Sequence, residues 1–154
     1  MKKIVICSTL TNECIHVLKK VSKEINLSNS EVHIINIIKL QAVVIDLSPY
    51  IYPETIHFEM LKNGALTLLK EIGNSLNLQP DQIIYKSAFE YDVKESIKLY
   101  LEEVKASLVV VATREKHGIK GLFTSSTAEF LIRHSPCDVL VMKDTTQYKK
   151  PNEQ

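Results

Sequence analysis

SLVVVATREKHGIKGLFTSSTAEFLIR, residues 107–133, opens on an apolar run, Leu108 to Val111, that stops at Ala112. A polar, basic loop with Gly118 and Gly121 follows, then a Ser-Ser-Thr step and an amphipathic segment. This order predicts a buried parallel strand, a loop over its carboxyl end, and a helix whose N-terminus faces that loop. In open α/β sheets ligands gather at such ends, and the free N–H groups of a helix N-terminus favour an anion.

The rest of the chain fits around that unit. Residues 3–8 (KIVICS) read as a buried strand. Thr11 or Asn12 is placed to cap a helix with Cys14, Val17, Leu18, Val21 and Ile25 on its apolar face. Residues 31–38 (EVHIINII) are a second strand. Residues 39–53, with Pro49 and Pro53, read as a loop, although residues 42–47 have the composition for a short turn or strand. Residues 54–77 form a long helix on the spacing of Phe58, Leu61, Ala65, Leu68, Ile72 and Leu76. Gly64 and Gly73 weaken it by about 1 kcal/mol each relative to Ala. Then follow a strand at 82–87, a helix at 91–105 with Val93, Ile97, Leu101 and Val104 on one face, the strand at 108–112, a helix at 126–134 and a strand at 138–142. Strands alternating with helices imply right-handed crossovers. The expected fold is one α/β domain over residues 1–145, a Rossmann-like open five-stranded parallel sheet with helices on both faces. A polar tail, 146–154, completes it.

Composition narrows the function. A formal net charge of +1 gives no bulk attraction to nucleic acid or anionic membrane. Apolar runs are strand-sized, well below the roughly 20 residues that span a bilayer. Residues 4–7 are too short for a signal-peptide core, so a cytoplasmic protein is expected. Three unclustered cysteines, Cys7, Cys14 and Cys137, without metal-ligand spacing read as reduced, buried small hydrophobes rather than a zinc site.

The start KIVICSTLTNECIHVL, the end AEFLIRHSPCDVLVMK and the strand–loop–helix between them resemble the universal stress protein family. The run RHSPCDVLV, residues 133–141, is the most specific piece. The resemblance covers essentially the whole chain. It implies a five-stranded parallel sheet and a homodimer in which the last strand pairs with its own copy, placing Val139, Leu140 and Val141 at the two-fold axis. One branch of that family binds ATP through a Gly-x2-Gly-x9-Gly-Ser/Thr loop and an Asp at the end of the first strand. Those positions fall here on Ala112, Glu115, Ser125 and Ser126, with Thr9 in place of the Asp and Leu10 where a Gly is usual. Glycines let backbone N–H groups approach phosphate closely; Glu115 would repel it. The resemblance therefore implies the branch that does not retain ATP. It points to a regulatory, non-enzymatic stress-response protein with no cofactor and an unidentified protein partner. The alternative is a switch binding ATP or AMP through the 112–126 loop.

Single residues carry both readings. Arg114, Lys116, His117 and Lys120 form a basic loop, with Arg114 and Lys120 candidates to replace the glycine donors; a solvated loop is the simpler account. Ser125 and Ser126 could donate to phosphate, and Ser126 with Glu129 also forms a capping box. His134 suits a helix C-terminus. His16, His33 and His57 have no sequence partner for metal or triad chemistry, and no Gly-x-Ser-x-Gly elbow or Walker loop is present. Tyr50 and Tyr52 could line a pocket; packing of their loop over the sheet edge is preferred.

Overall fold

In the computed structural model, residues 1–113 and 127–143 are described, Thr113 for its backbone only. Five parallel strands form one sheet: β1 (Lys2–Cys7), β2 (Ser30–Lys39), β5 (Ile83–Glu90), β6 (Leu108–Thr113) and β7 (Asp138–Lys143), in the order β5-β2-β1-β6-β7. β1 is central because all of its interior is apolar. Ile4 and Ile6 face one side, Val5 and Cys7 the other, and all four are buried. Its neighbours are in register at Ile4 with Val32 and Leu108, and at Cys7 with Ile35 and Val111.

Helices cover both faces. On the Ile4/Ile6 face lie α1 (Asn12–Leu18), the short α2 (Val21–Glu24) and α3 (Phe58–Asn74). On the Val5/Cys7 face lie α4 (Val93–Val104) and α5 (Thr127–His134). Thr11 caps α1 by accepting from Cys14 N–H at 3.3 Å. Asp92 caps α4 by accepting from Lys94 and Glu95 N–H groups, and Lys105 ends it in a left-handed conformation, φ 55°.

Three expectations need correction. The first helix is broken between Leu18 and Val21, though Cys14, Val17, Leu18 and Val21 are all buried as the spacing requires. In α3 the buried stripe is Ala65, Leu69 and Ile72, and Leu61 is exposed, because only the second half of the helix lies over the sheet. The largest departure is the 39–53 segment. It is not a loop laid on the sheet edge but an antiparallel hairpin, β3 (Gln41–Ile45) and β4 (Ser48–Tyr52), forming a sheet of its own. Its residues 42–47 are apolar except Asp46, which supports strand over loop. The polar tail expected at 146–154 lies outside the described residues.

The two glycines of α3 separate on packing. A Cβ at Gly64 would meet nothing within 4 Å, whereas one at Gly73 would fall 2.0 Å from the Tyr85 Oη and 2.8 Å from its Cζ. Gly73 is there because the Tyr85 ring rests on the helix. Gly64→Ala is therefore expected to stabilise the protein by up to about 1 kcal/mol through helix propensity. Gly73→Ala should destabilise it by displacing Tyr85. Paired urea melts decide this, and equal stabilisation by both would contradict the packing account.

Candidate functional site

The strand order reverses direction between β1 and β6, where the crossovers leaving the two strands run to opposite sides. Such a point leaves a crevice at the carboxyl ends of the strands. A cavity of about 250 Å³ lies there. Its walls are apolar: Cys7, Ile35, Ile37, Val93, Ile97 and Val111. Its polar atoms come from Ser8, Thr9, Asn36 and Thr127, with Ala112 at the end of β6.

Local sequence explains these placements. β1 ends at Cys7, and Ser8 N–H still donates to the Ile35 carbonyl at 2.9 Å, so Ser8 is held at the strand end. Ser8 Oγ accepts from Leu10 N–H at 3.1 Å and lies 3.6 Å from Cys14 Sγ. That turn puts Leu10 at φ 61°, the left-handed region that glycine adopts without cost. The backbone thus keeps a glycine-type bend with a leucine side chain, whose apolar atoms pack on the α1–α3 core. Thr9 is exposed, with its Oγ1 3.5 Å from Thr11 Oγ1 and its N–H directed at Cys14 Sγ.

Asn36 is the residue that sequence reading passed over. Its Nδ2 donates to the Ser8 carbonyl at 2.9 Å, bracing the tops of β1 and β2. Among the described residues, its buried Oδ1 and the buried Ser87 Oγ have no hydrogen-bond partner, and the two residues are register partners on β2 and β5. One signal was available: a single amide inside the apolar run EVHIINII. Burial pushes the Cys7 thiol far above the usual thiol range, with smaller contributions from Cys14 and Cys137. Cys7 therefore stands in the cavity wall as a thiol, not a thiolate nucleophile. No group of three or more His, Cys, Asp or Glu side chains among the described residues is placed to hold a metal ion.

Of the expected site residues, the fold brings Thr9 and Ala112 to one cavity, beside Thr127 at the start of α5. Arg114, Glu115, Lys116, His117, Lys120, Ser125 and Ser126 lie outside the described residues. Glu129, expected in a capping box, sits in the first turn of α5 and pairs with Arg133 at 3.1 Å. Tyr50 and Tyr52 do not line the cavity; Tyr50 donates to Glu54, and Tyr52 is exposed. Val139, Leu140 and Val141 are half-buried on β7, which is an edge of the sheet.

A second polar cluster lies deeper in the sheet, at the α4 face. His33 is buried, with Nδ1 2.7 Å from Tyr100 Oη and Nε2 2.7 Å from Glu31 Oε1. A carboxylate only accepts, so Nε2 donates to Glu31, while Nδ1 shares a hydrogen bond with the Tyr100 hydroxyl. Lys3 reaches Glu31 at 3.4 Å, and Lys86 Nζ sits 4.0 Å from the Tyr100 ring centre. Burial raises the Tyr100 hydroxyl above its usual range, and Glu103 and Glu31 add to it. Of the two partners of His33, Glu31 is two residues away and Tyr100 is 67 residues away, so only the fold brings the Tyr100 contact into being.

Comparison with known proteins places this geometry. A family model described as "Universal stress protein family" matches residues 1–143. Universal stress protein E of Escherichia coli is 23% identical over 127 residues, which is 82% of this chain and 39% of that protein. The chain thus spans about two fifths of the length of the curated relatives it matches. A universal stress protein solved in complex with cAMP superposes with a TM-score of 0.62 at 15% identity, covering 91% of this chain and 94% of the other. The universal stress protein of Archaeoglobus fulgidus in complex with dAMP does so with a TM-score of 0.54 at 14% identity, covering 93% and 98%. At these identities the likeness of the structures is one of fold.

Two outcomes follow from the buried cluster. Tyr100→Phe strips the hydrogen-bond partner from a buried ring nitrogen and is expected to cost about 1–3 kcal/mol of stability in denaturant melts. Glu31 is held below the usual carboxylate range, first by its hydrogen bond from His33 and then by Lys3. Its folded value is depressed, so its contribution is present above the unfolded pKa and is lost as pH falls through the folded one. The stability gap between wild type and Glu31→Gln should therefore shrink between about pH 6 and about pH 3, a range spanning the ordinary Glu value of ~4.3. A gap independent of pH would show that the Glu31–His33 contact does not differ between the folded and unfolded chain.

Proposed function

The chain belongs to the universal stress protein family, and from that premise we propose that it is a dimeric, non-enzymatic regulatory protein of the stress response that does not retain ATP. The observation carrying this reading is the end of β1. Thr9 stands where the resemblance puts an Asp in the ATP-binding branch, and its hydroxyl, 3.5 Å from Thr11 Oγ1, brings no carboxylate to accept from a ribose. Among the described residues the cavity wall also lacks a base–nucleophile pair for turnover. Cys7 is its one ionisable residue among those described and is held as a thiol, and the Ser8 hydroxyl is engaged by Leu10 N–H. These features support binding without chemistry.

A second reading rests on the cavity itself. It is formed, apolar on its flat walls and polar at one rim, which suits a base and sugar. Relatives of this fold have been solved with cAMP and dAMP. An adenine mononucleotide such as AMP, or ATP held through Arg114 and Lys120, would then act as an effector.

The dimer would form by two-fold pairing of β7. An apolar edge strand left open is an aggregation hazard, and Val139, Leu140 and Val141 are only half-covered within one chain. An unidentified protein partner completes this reading.

Denaturing freshly purified protein and assaying the supernatant for ATP, ADP and AMP separates the two readings. No nucleotide is expected, and ATP at a hundredfold excess over a typical dissociation constant should add much less than the ~2.7 kcal/mol that mass action gives a true ligand. Near-stoichiometric nucleotide would overturn the first reading and establish the second. For the dimer, Val139→Lys combined with Val141→Lys should lower the sedimenting mass at micromolar concentration. An unchanged mass would remove β7 as an interface.

A further inference from the structure

The hairpin β3–β4 stands apart from the five-stranded sheet as a sheet of its own. It joins the end of β2 to α3 and, among the described residues, pairs only with itself and packs extensively on no other element. Val43 and Ile45 are on one face and Val44 on the other, and they are 42%, 56% and 70% exposed. An isolated two-stranded ribbon is marginal in water; three or more strands are needed for stability. Four of the five residues of β3 are apolar and all five are exposed, which leaves its edge open to a further strand.

The two outer edges of the ribbon differ. Asp46 and Leu47, both with positive φ (48° and 65°), make the two-residue connection between Ile45 and Ser48. In a type I′ hairpin the pair flanking the loop exchanges both hydrogen bonds, and bonded and non-bonded pairs then alternate. Ile45–Ser48, Val43–Tyr50 and Gln41–Tyr52 are thus the bonded pairs, and Ala42–Ile51 and Val44–Pro49 present their backbone groups outward. On β4 the outward positions are Pro49 and Ile51, and Pro49 has no N–H, so that edge is interrupted at one of its two outward positions. On β3 the outward groups of Ala42 and Val44 are intact, and QAVVI carries no charge. Edge strands are ordinarily guarded by Lys, Pro or a bulge. β4 is guarded and β3 is not.

We propose that the β3 edge is an interface for a second copy of this chain, the two β3 strands pairing antiparallel about a two-fold axis at Val43 to make a four-stranded sheet. Centring on Val43 lets all five residues of β3 pair. Ala42 and Val44 of one copy then exchange hydrogen bonds with Val44 and Ala42 of the other, and no like charges meet because the strand has none. The self-complementary strand is what selects an identical chain as occupant over a different protein. This interface is separate from β7 and stands whether or not β7 pairs.

The test uses the full chain with Cys137→Ser, which leaves only the buried Cys7 and Cys14 as native thiols. Val43→Cys places two thiols across the axis at a non-bonded pair, about 4.5 Å between Cα atoms. Mild oxidation at micromolar concentration should convert most of it to a covalent dimer. Ile45→Cys, whose symmetry mates would lie roughly 14 Å apart in this register, should stay monomeric. Adding Val44→Pro removes the outward donor while leaving the β3–β4 ladder whole, and should cut Val43→Cys cross-linking about tenfold. Val139→Lys with Val141→Lys should leave it unchanged, which keeps this result distinct from the β7 dimer. A Val43→Cys protein that stays monomeric on oxidation overturns the proposal, as does equal cross-linking of Ile45→Cys.

Discussion

Everything in this molecule hangs on the burial of β1 on both faces and both edges. Its four interior residues alternate between two helical layers, and its ladders run to β2 on one side and β6 on the other. A parallel strand so placed cannot leave its neighbours without opening both cores. The crossovers that follow must turn outward in opposite directions from this centre. The crevice at its carboxyl end is thus a by-product of topology rather than of particular loop residues.

The chemistry of the crevice is set by the side chains at the ends of β1, β2 and β6. The left-handed bend at Leu10 shows that the strand-end turn survives loss of glycine, because its apolar side chain is covered by the α1–α3 core. The Asn36 amide donates to the Ser8 carbonyl, adding a side-chain tie between the strands to the backbone bond that Ser8 N–H makes to Ile35. The cavity is therefore maintained by the strand-end turn and the Asn36 tie. Away from it, Glu31, His33 and Tyr100 close a hydrogen-bonded chain with every ring nitrogen paired, which lets a histidine occupy a sheet interior.

The hairpin shows the opposite balance. Its pairing is local, set by two residues of positive φ and by alternating β-branched side chains, yet among the described residues no other element covers it. Its two edges are treated differently by one proline, an asymmetry that has no consequence for a monomer.

The sequence by itself determined the sheet, its order of elements and the family. Apolar runs of strand length alternate with helical spacing, and burial on both faces leaves a readable mark in every β-strand of a parallel sheet. It also located Thr9 and Ala112 at strand ends, since the end of an apolar run is a local feature. Tertiary structure alone decided the rest. Residues 39–53 read as a loop because prolines and a two-residue turn hide a short hairpin with no core face. The α3 stripe shifted to Ala65, Leu69 and Ile72 because a helix longer than its contact buries only the part that lies over the sheet. Gly73 answers to Tyr85, His33 to Tyr100, and Asn36 to Ser8. Each of these pairs is brought together by packing across elements, and no spacing along the chain encodes a distance between strands and helices that meet only when the sheet closes.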